Sequence, residues 1–469
     1  MALTIEQNPL YTLNTVGQEV IFTASDTTVV GTYFNVKYIA EVHIGSDTIN
    51  LATTTDLVGT FKTTPNNAAV GMFDFRPIIE SFVSADNLAP DTSEFKEVSY
   101  TNLPIHIIDK FSLNTNTVRY LKIRFKIEGS TTASGTVEPI AGEEEDSVQY
   151  TLINGYLKRT DVINLSANNF GYNTSRFYLN PLIIQGDVAG NWLSNAPTTQ
   201  YANILDYGNL AMYSADISSG TDLDKMVLIY FDSSGTQLGT EDIDNLDANG
   251  GFTTYGTTTN KQVMYFGCFP ANLRNWSTLF NSPAVIDFIE GGYYKVYARN
   301  SANQNLLDII TINVNCPTLK GYDPIRLAWL NQWGAWDYYT FTMKSAKTTS
   351  TKGSTYEQLA GTWNESIYLP SGYKGGKKAF RVNATEKISM NTDFVSEAES
   401  EWFEELINSP EVYILDSYQS DQSFSSLNNY VTPVRLTTSN FTKKTVANDK
   451  LMQYTFEVEK SKTLRTQSV

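Results

Sequence analysis

The chain has 469 residues, 41% of them hydrophobic, and a formal net charge of −16. That length exceeds what one hydrophobic core holds and implies about two to four domains, while the acidic balance opposes binding to nucleic acid or an anionic membrane. Two cysteines, Cys268 and Cys316, are too few for a disulfide framework or a zinc site, and no apolar run reaches membrane-spanning length.

Abundant Tyr, Phe, Thr, Val and Ile, with little 3.6-residue periodicity, predict a mainly β protein built of several β-sandwich or Ig-like units. The opening MALTIEQNPLYTL has no basic region followed by an apolar stretch, so a cytosolic product without a secretory signal is expected. Residues 1–160 read as an N-terminal β domain with a long loop. Its candidate strands are Glu19–Ala24, Tyr33–His43, Leu57–Lys62, Val118–Ile127 and Val148–Lys158, with a short helix at Pro77. The acidic run Glu143–Asp146 reads as a solvated loop. The polar stretch from Ser84 to Asn114 reads as a contact loop.

Residues 161–222, rich in Asn, Ser, Tyr and Gly, read as an irregular connecting segment ordered by a neighbour. Residues 223–318 read as an Ig-like sandwich, with strands at Lys225–Phe231, Thr236–Thr240 and Val263–Phe269. Tyr293–Arg299 and Leu306–Val314 are expected to form a hairpin across Asn300–Asn305. Buried thiols are expected of both cysteines.

Residues 319–469 read as a C-terminal β domain with one helix, 396–408, packed on a sheet. The domain opens on GYDPIRLAWLNQWGAWDYYTFTMK, which holds three of the seven tryptophans. Ile325, Leu327 and Trp329 alternate with Arg326 and Ala328, the pattern of a half-buried strand. Asn331–Gly334 is the turn, and a second strand follows with bulk on both faces. Leu327, Trp329, Trp333, Trp336, Tyr339 and Phe341 are therefore expected as core anchors, with Trp402 and Phe403 of the helix and Tyr413 of the strand after it. Ser345–Thr355 and Ser371–Lys378 read as exposed hairpin tips. Ser396 caps the helix, with Glu397 and Glu399 at its positive end, and Asn408-Ser409-Pro410 stops it.

Chemistry is sparse in the sequence. With His43 and His106 as the sole histidines, a Ser-His-Asp arrangement has little to build on, and neither a Walker loop nor a dinucleotide fingerprint is present. Asn245, Asp247, Asn249 and Gly250 match the first half of a calcium loop, but Gly256 stands where the bidentate Glu belongs, so a plain turn is the simpler reading. Asn-x-Ser/Thr matches such as Asn173 and Asn440 read as chance in a Thr-rich chain. No catalytic, cofactor or metal residue is assigned, and the chain is expected not to be an enzyme.

Two segments carry a resemblance. Asn315-Cys316-Pro317 with RLAWLNQWGAWDYYTFTM, and WFEELINSPEVYIL with PVRLTTSNFTKKTVANDKLMQYTFEVEKS, resemble virion structural proteins of tailed bacteriophages, including crAss-like and other Bacteroidota-infecting phages. The similarity covers about the last third of the chain and falls on core and turn residues. It implies a virion component, a tail ring, hub or adaptor protein that oligomerises and joins tail parts or anchors fibres. The partners implied are copies of itself and other virion tail proteins, after assembly in the host cytoplasm. The alternatives are a receptor-binding fibre or glycan-binding adhesin, with exposed aromatics around Trp192 or Trp363, and a head-decoration protein.

Overall fold

The computed structural model describes residues 3–89, 103–113, 116–157, 162–166, 169–172, 190–214, 223–244, 262–300, 302–316, 321–362, 365–418, 429–438, 440, 442, 452–462 and 464–468. The chain is mainly β, in multi-stranded sheets with few helices. It divides into two units. The first comprises Met1–Cys316, Leu330–Asp337 and Ser417–Asn428, the second Pro317–Trp329, Tyr338–Asp416 and Asn429–Val469. The expected limits at 160 and 222 are therefore not unit boundaries.

In the first unit, two sheets enclose a sandwich core. One runs in the order Val162–Ser166, Asn169–Tyr172, Thr4–Pro9, Ile21–Ser25, Val70–Asp74. The other runs Leu13–Thr15, Tyr150–Ile153, Val118–Ser130, Phe34–Gly45, Leu57–Thr63, with Glu138–Asp146 also paired to Val118–Ser130. Alternation puts Phe22 and Phe73 of the first sheet against Phe125 and Tyr150 of the second, ring centroids 5.5–5.9 Å apart. The Glu143–Asp146 run is thus not a loop. Its carboxylates sit on a strand because the neighbouring strand offers cations: Arg124 chelates Asp146 and Lys126 lies 3.8 Å from Glu144.

The same unit contains a five-stranded sheet, ordered Thr199–Asn203, Ile310–Asn315, Tyr293–Arg299, Lys225–Phe231, Gln237–Asp244. The expected hairpin pairs Tyr293 with Asn313. Asn300 closes its turn, its side-chain oxygen accepting from the Ala302 and Gln304 amides. A three-stranded sheet joins Asn209–Ser214, Gln262–Gly267 and Phe111–Leu113.

The contact-loop expectation fails for the described residues of these stretches. Leu103, Ile105, Ile107 and Phe111 are buried, as are Trp192, Leu193, Tyr207 and Leu210. They find their partners inside the chain because buried asparagines substitute for ladder bonds. Asn272 donates to the His106 and Ile108 carbonyls and accepts from the Gly208 amide. Asn209 donates to the Ile105 carbonyl.

A similar bracket closes the aromatic hairpin. Asn331 accepts from the Trp333 and Ala335 amides and donates to the Leu193 carbonyl and the Asp337 carboxylate. Gly334 has φ +74°, and a β-carbon on it would lie 2.0 Å from the Asn154 carbonyl oxygen. Beside it, the Tyr156 amide donates to the Gln332 carbonyl.

The second unit is built on an eight-stranded sheet. Its order is Trp336–Phe341, Ile325–Leu330, Val412–Leu415, Val431–Leu436, Thr455–Lys460, Gly376–Asn391, Ser345–Gln358, with Leu464–Ser468 also on Gly376–Asn391. Ile325–Leu330 is buried on both faces and not half-buried as its alternation suggests. Arg326 is tolerated inside because its guanidinium donates to the Thr340 hydroxyl and lies over the Tyr338 ring. The helix runs Glu397–Asn408 with a Ser396/Glu399 capping box. Just before it, Val395 is held in a bridge to Met452.

Gly334→Ala is expected to destabilise the first unit by more than about 2 kcal/mol, through a left-handed backbone and a carbonyl clash. Denaturant unfolding followed by tryptophan fluorescence measures it, and an unchanged midpoint would show that the close approach does not matter.

Candidate docking surface

Most expected anchors are spent on packing. Leu327, Trp329, Trp333, Trp336, Phe341, Trp402 and Phe403 are buried, whereas Tyr339 and Tyr413 are half-buried. Trp402 and Phe403 of the helix pack on Trp329, Tyr339 and Phe341. Tyr413 donates its hydroxyl to Glu411, and burial, with that carboxylate beside it, pushes its pKa well above the usual phenol range. Trp333 and Trp336 belong to the first unit, where the Trp336 ring meets His106 and its indole N–H donates to the Asp86 carbonyl. Trp192, expected exposed under the adhesin reading, is buried and donates to the Asp308 carbonyl. Trp363 and the Asn245–Gly250 half-motif lie outside the described residues, as does Gly256.

Neither histidine heads a reactive arrangement among the described residues. His106 is a packing partner, and His43 is buried between Leu57 and Lys122 on the flanking strands. Burial lowers the His43 pKa, with Glu41, Asp56 and Asp146 opposing and Arg124 assisting. Among the described residues no cluster of His, Cys, Asp or Glu has metal-binding geometry, and no helix is long and apolar enough to cross a membrane. Of the two cysteines, Cys268 is buried and Cys316 half-buried.

What stands apart is a long β-ribbon, Ser345–Gln358 paired with Gly376–Asn391, hereafter the arm. Its 14-residue strand spans roughly 45 Å. The sequence suggests hairpin tips at Ser345–Thr355 and Ser371–Lys378; Ser345–Thr355 is strand throughout, whereas Ser371–Gly375 is turn chain at the end of the ribbon and strand resumes only at Gly376. Threonine-rich polar chain suits pairing when both faces meet water. Ala346 to Gln358 is exposed throughout, as is Gly376 to Arg381. Leu464–Ser468 and Thr455–Lys460 back the arm at Arg381–Ala384 and Lys387–Asn391. Beyond Arg381, no third strand accompanies the ribbon among the described residues.

The end of the arm is apolar and held in shape by its own hydrogen bonds. The Thr362 amide donates to the Leu369 carbonyl, the Thr362 hydroxyl to the Ile367 carbonyl, and the Ser371 amide to the Ala360 carbonyl. On this frame stand Leu359, Ile367, Tyr368, Leu369 and Tyr373, with Phe380 below them, all exposed; Tyr373 is 81% exposed. Single exposed apolar residues are ordinary, but a contiguous group at the end of a free ribbon marks an interaction surface.

The arm is also basic. From 345 to 391 there are seven Lys or Arg and three Asp or Glu, a net +4 in a chain of −16, leaving −20 elsewhere. Burying the apolar end would contribute roughly 1.5–3 kcal/mol per large side chain, of the same order in total as the ~4–15 kcal/mol entropic cost of association. The end alone therefore gives weak binding. Specific attachment needs the shaft as well.

No protein-family model matches the chain, and no curated protein does. Among solved structures, a similar chain is the C-terminal domain of the Streptococcus pyogenes antigen I/II-family protein AspA. It is 6% identical, with 67% of this chain and 98% of that one covered at a TM-score of 0.12.

Tyr373→Ser with Leu369→Ser is expected to change the unfolding free energy by less than about 0.5 kcal/mol, whereas Phe403→Ala costs about 3–5 kcal/mol; denaturant titration compares them. Because the His43 pKa is lower folded than unfolded, its contribution to stability is present above the unfolded value of 6.5 and is lost as pH falls from there through the folded value. Unfolding midpoints at pH values above and below this window should show the drop, flattened in His43→Gln.

Proposed function

We propose that the chain is a structural subunit of a tailed-phage virion, a tail ring, hub or adaptor protein that works by assembly and performs no reaction. The observation that carries this reading is the arm. It is a ribbon without a third strand beyond Arg381 among the described residues, capped by six large exposed apolar side chains. A two-stranded ribbon is marginal by itself in water and gains from a surface laid against it. The resemblance of the last third of the chain to virion structural proteins supports the same role, as does its core-and-turn character.

Such a subunit meets copies of itself and neighbouring tail proteins, and symmetric closure of repeated contacts gives a ring. Trp192, one of the two tryptophans a glycan-stacking fibre would expose, is consumed by packing.

Sedimentation of the full chain, beside a variant with residues 359–375 replaced by a short Gly-Ser turn, tests the reading. The intact chain is expected to form concentration-dependent multimers that shortening abolishes. A chain that stays monomeric at about 100 µM, well above a micromolar Kd, would overturn it. Binding to host polysaccharide by that monomer would identify an adhesin instead.

A further inference from the structure

We infer that the arm of one copy docks along the exposed acidic strand Glu138–Asp146 of another copy. The inference rests on the assembly reading above and names its partner and surface. Three observations carry it.

The first is charge. Glu138–Asp146 holds five carboxylates and no cation, and it is exposed along nearly its whole length. Glu143 accepts from the Leu3 amide, Glu144 lies near Lys126, and Asp146 is held by Arg124. Glu138 and Glu145 have no partner among the described residues. On the arm, Lys352, Lys377 and Lys378 are equally uncommitted among those residues. A +4 arm on a chain that is otherwise −20 finds its electrostatic complement in another copy.

The second is the open edges. Glu138–Asp146 pairs on one side with Val118–Ser130 and with no other strand among the described residues. Ser345–Gln358 ends the order of its sheet and pairs only with Gly376–Asn391 among them. Each edge is guarded against its own kind, acid against acid and lysine against lysine. The pairing these guards leave open is the mixed one, in which the backbone edges add as in strand addition.

The third is apolar complement. Val148, just past the end of the acidic strand, is 57% exposed, while Phe34, 50% exposed, lies on the far side of Val118–Ser130, opposite Ser130. An acidic strand with an exposed apolar side chain at its end matches a basic ribbon bearing apolar ones. Because the two surfaces differ, the contact is head-to-tail and closes into a ring or propagates.

A charge swap tests the pairing. An arm variant carries Lys352→Glu, Lys377→Glu and Lys378→Glu, and a strand variant carries Glu138→Lys and Glu145→Lys. Sedimentation should show each alone weakened in self-association by about tenfold or more, while their mixture regains multimers at the wild-type concentration. Self-association of either variant at wild-type strength would overturn the inference while leaving assembly standing. So would two weakened variants that fail to rescue each other. A wild-type chain that never associates would remove the inference together with the reading beneath it.

Discussion

A ribbon of two strands has no interior. Every side chain on the outer half of the arm, from Thr355 to Gln358 and from Gly376 to Phe380, meets solvent on whichever face it points to. Elsewhere the chain treats apolar side chains in the ordinary way and buries them, as with Phe22, Phe73 and Phe125 in the sandwich or Trp329, Trp402 and Phe403 under the helix. At the arm's end it does not. Local hydrogen bonds around Thr362 and Ser371 hold the apolar group in a defined shape, so the exposure is built into the frame.

The rest of the second unit supplies what such an arm needs, a base that does not yield. One strand of the arm, Gly376–Asn391, continues inward to pair with Thr455–Lys460, whose Phe456 meets Phe403 of the helix's aromatic cluster. The capping box at Ser396 satisfies amides at the start of the helix, and the buried Arg326 donates to the Thr340 hydroxyl. In the first unit buried asparagines do comparable work. Asn272, Asn209 and Asn331 each bond backbone that no sheet ladder reaches, which lets irregular chain run through the core.

Much of the strand pattern is legible in the sequence. Lys225–Phe231 and Tyr293–Arg299 can be read to the residue, and the helix from its cap onward, because alternation, turn asparagines and a Ser-x-x-Glu cap are local signals. The misreadings share one physical cause. Glu143–Asp146 and Ser345–Thr355 look like loops because polarity commonly marks irregular chain, yet a strand flanked by cations or wet on both faces is polar too. The asparagine-rich stretch around 190–214 reads as wanting a neighbour because its partners lie far off in sequence, with Asn203 and Asn209 buried within the same unit. The arm is hidden from the sequence for a related reason. Leu359, Ile367 and Tyr373 are separated by Gly, Ser and Pro, and only the pairing of Ser345–Gln358 with Gly376–Asn391 gathers them at one end.

Assembly through the arm is most directly tested by hydrogen exchange of its backbone amides, measured on the full chain at low and high protein concentration. The outward-facing amides of Ser345–Gln358 have no ladder partner within the described chain, so they should exchange fast when dilute and slow markedly as multimers form. Multimers that form while those amides exchange as fast as before would place the contact elsewhere and contradict the arm's part in assembly.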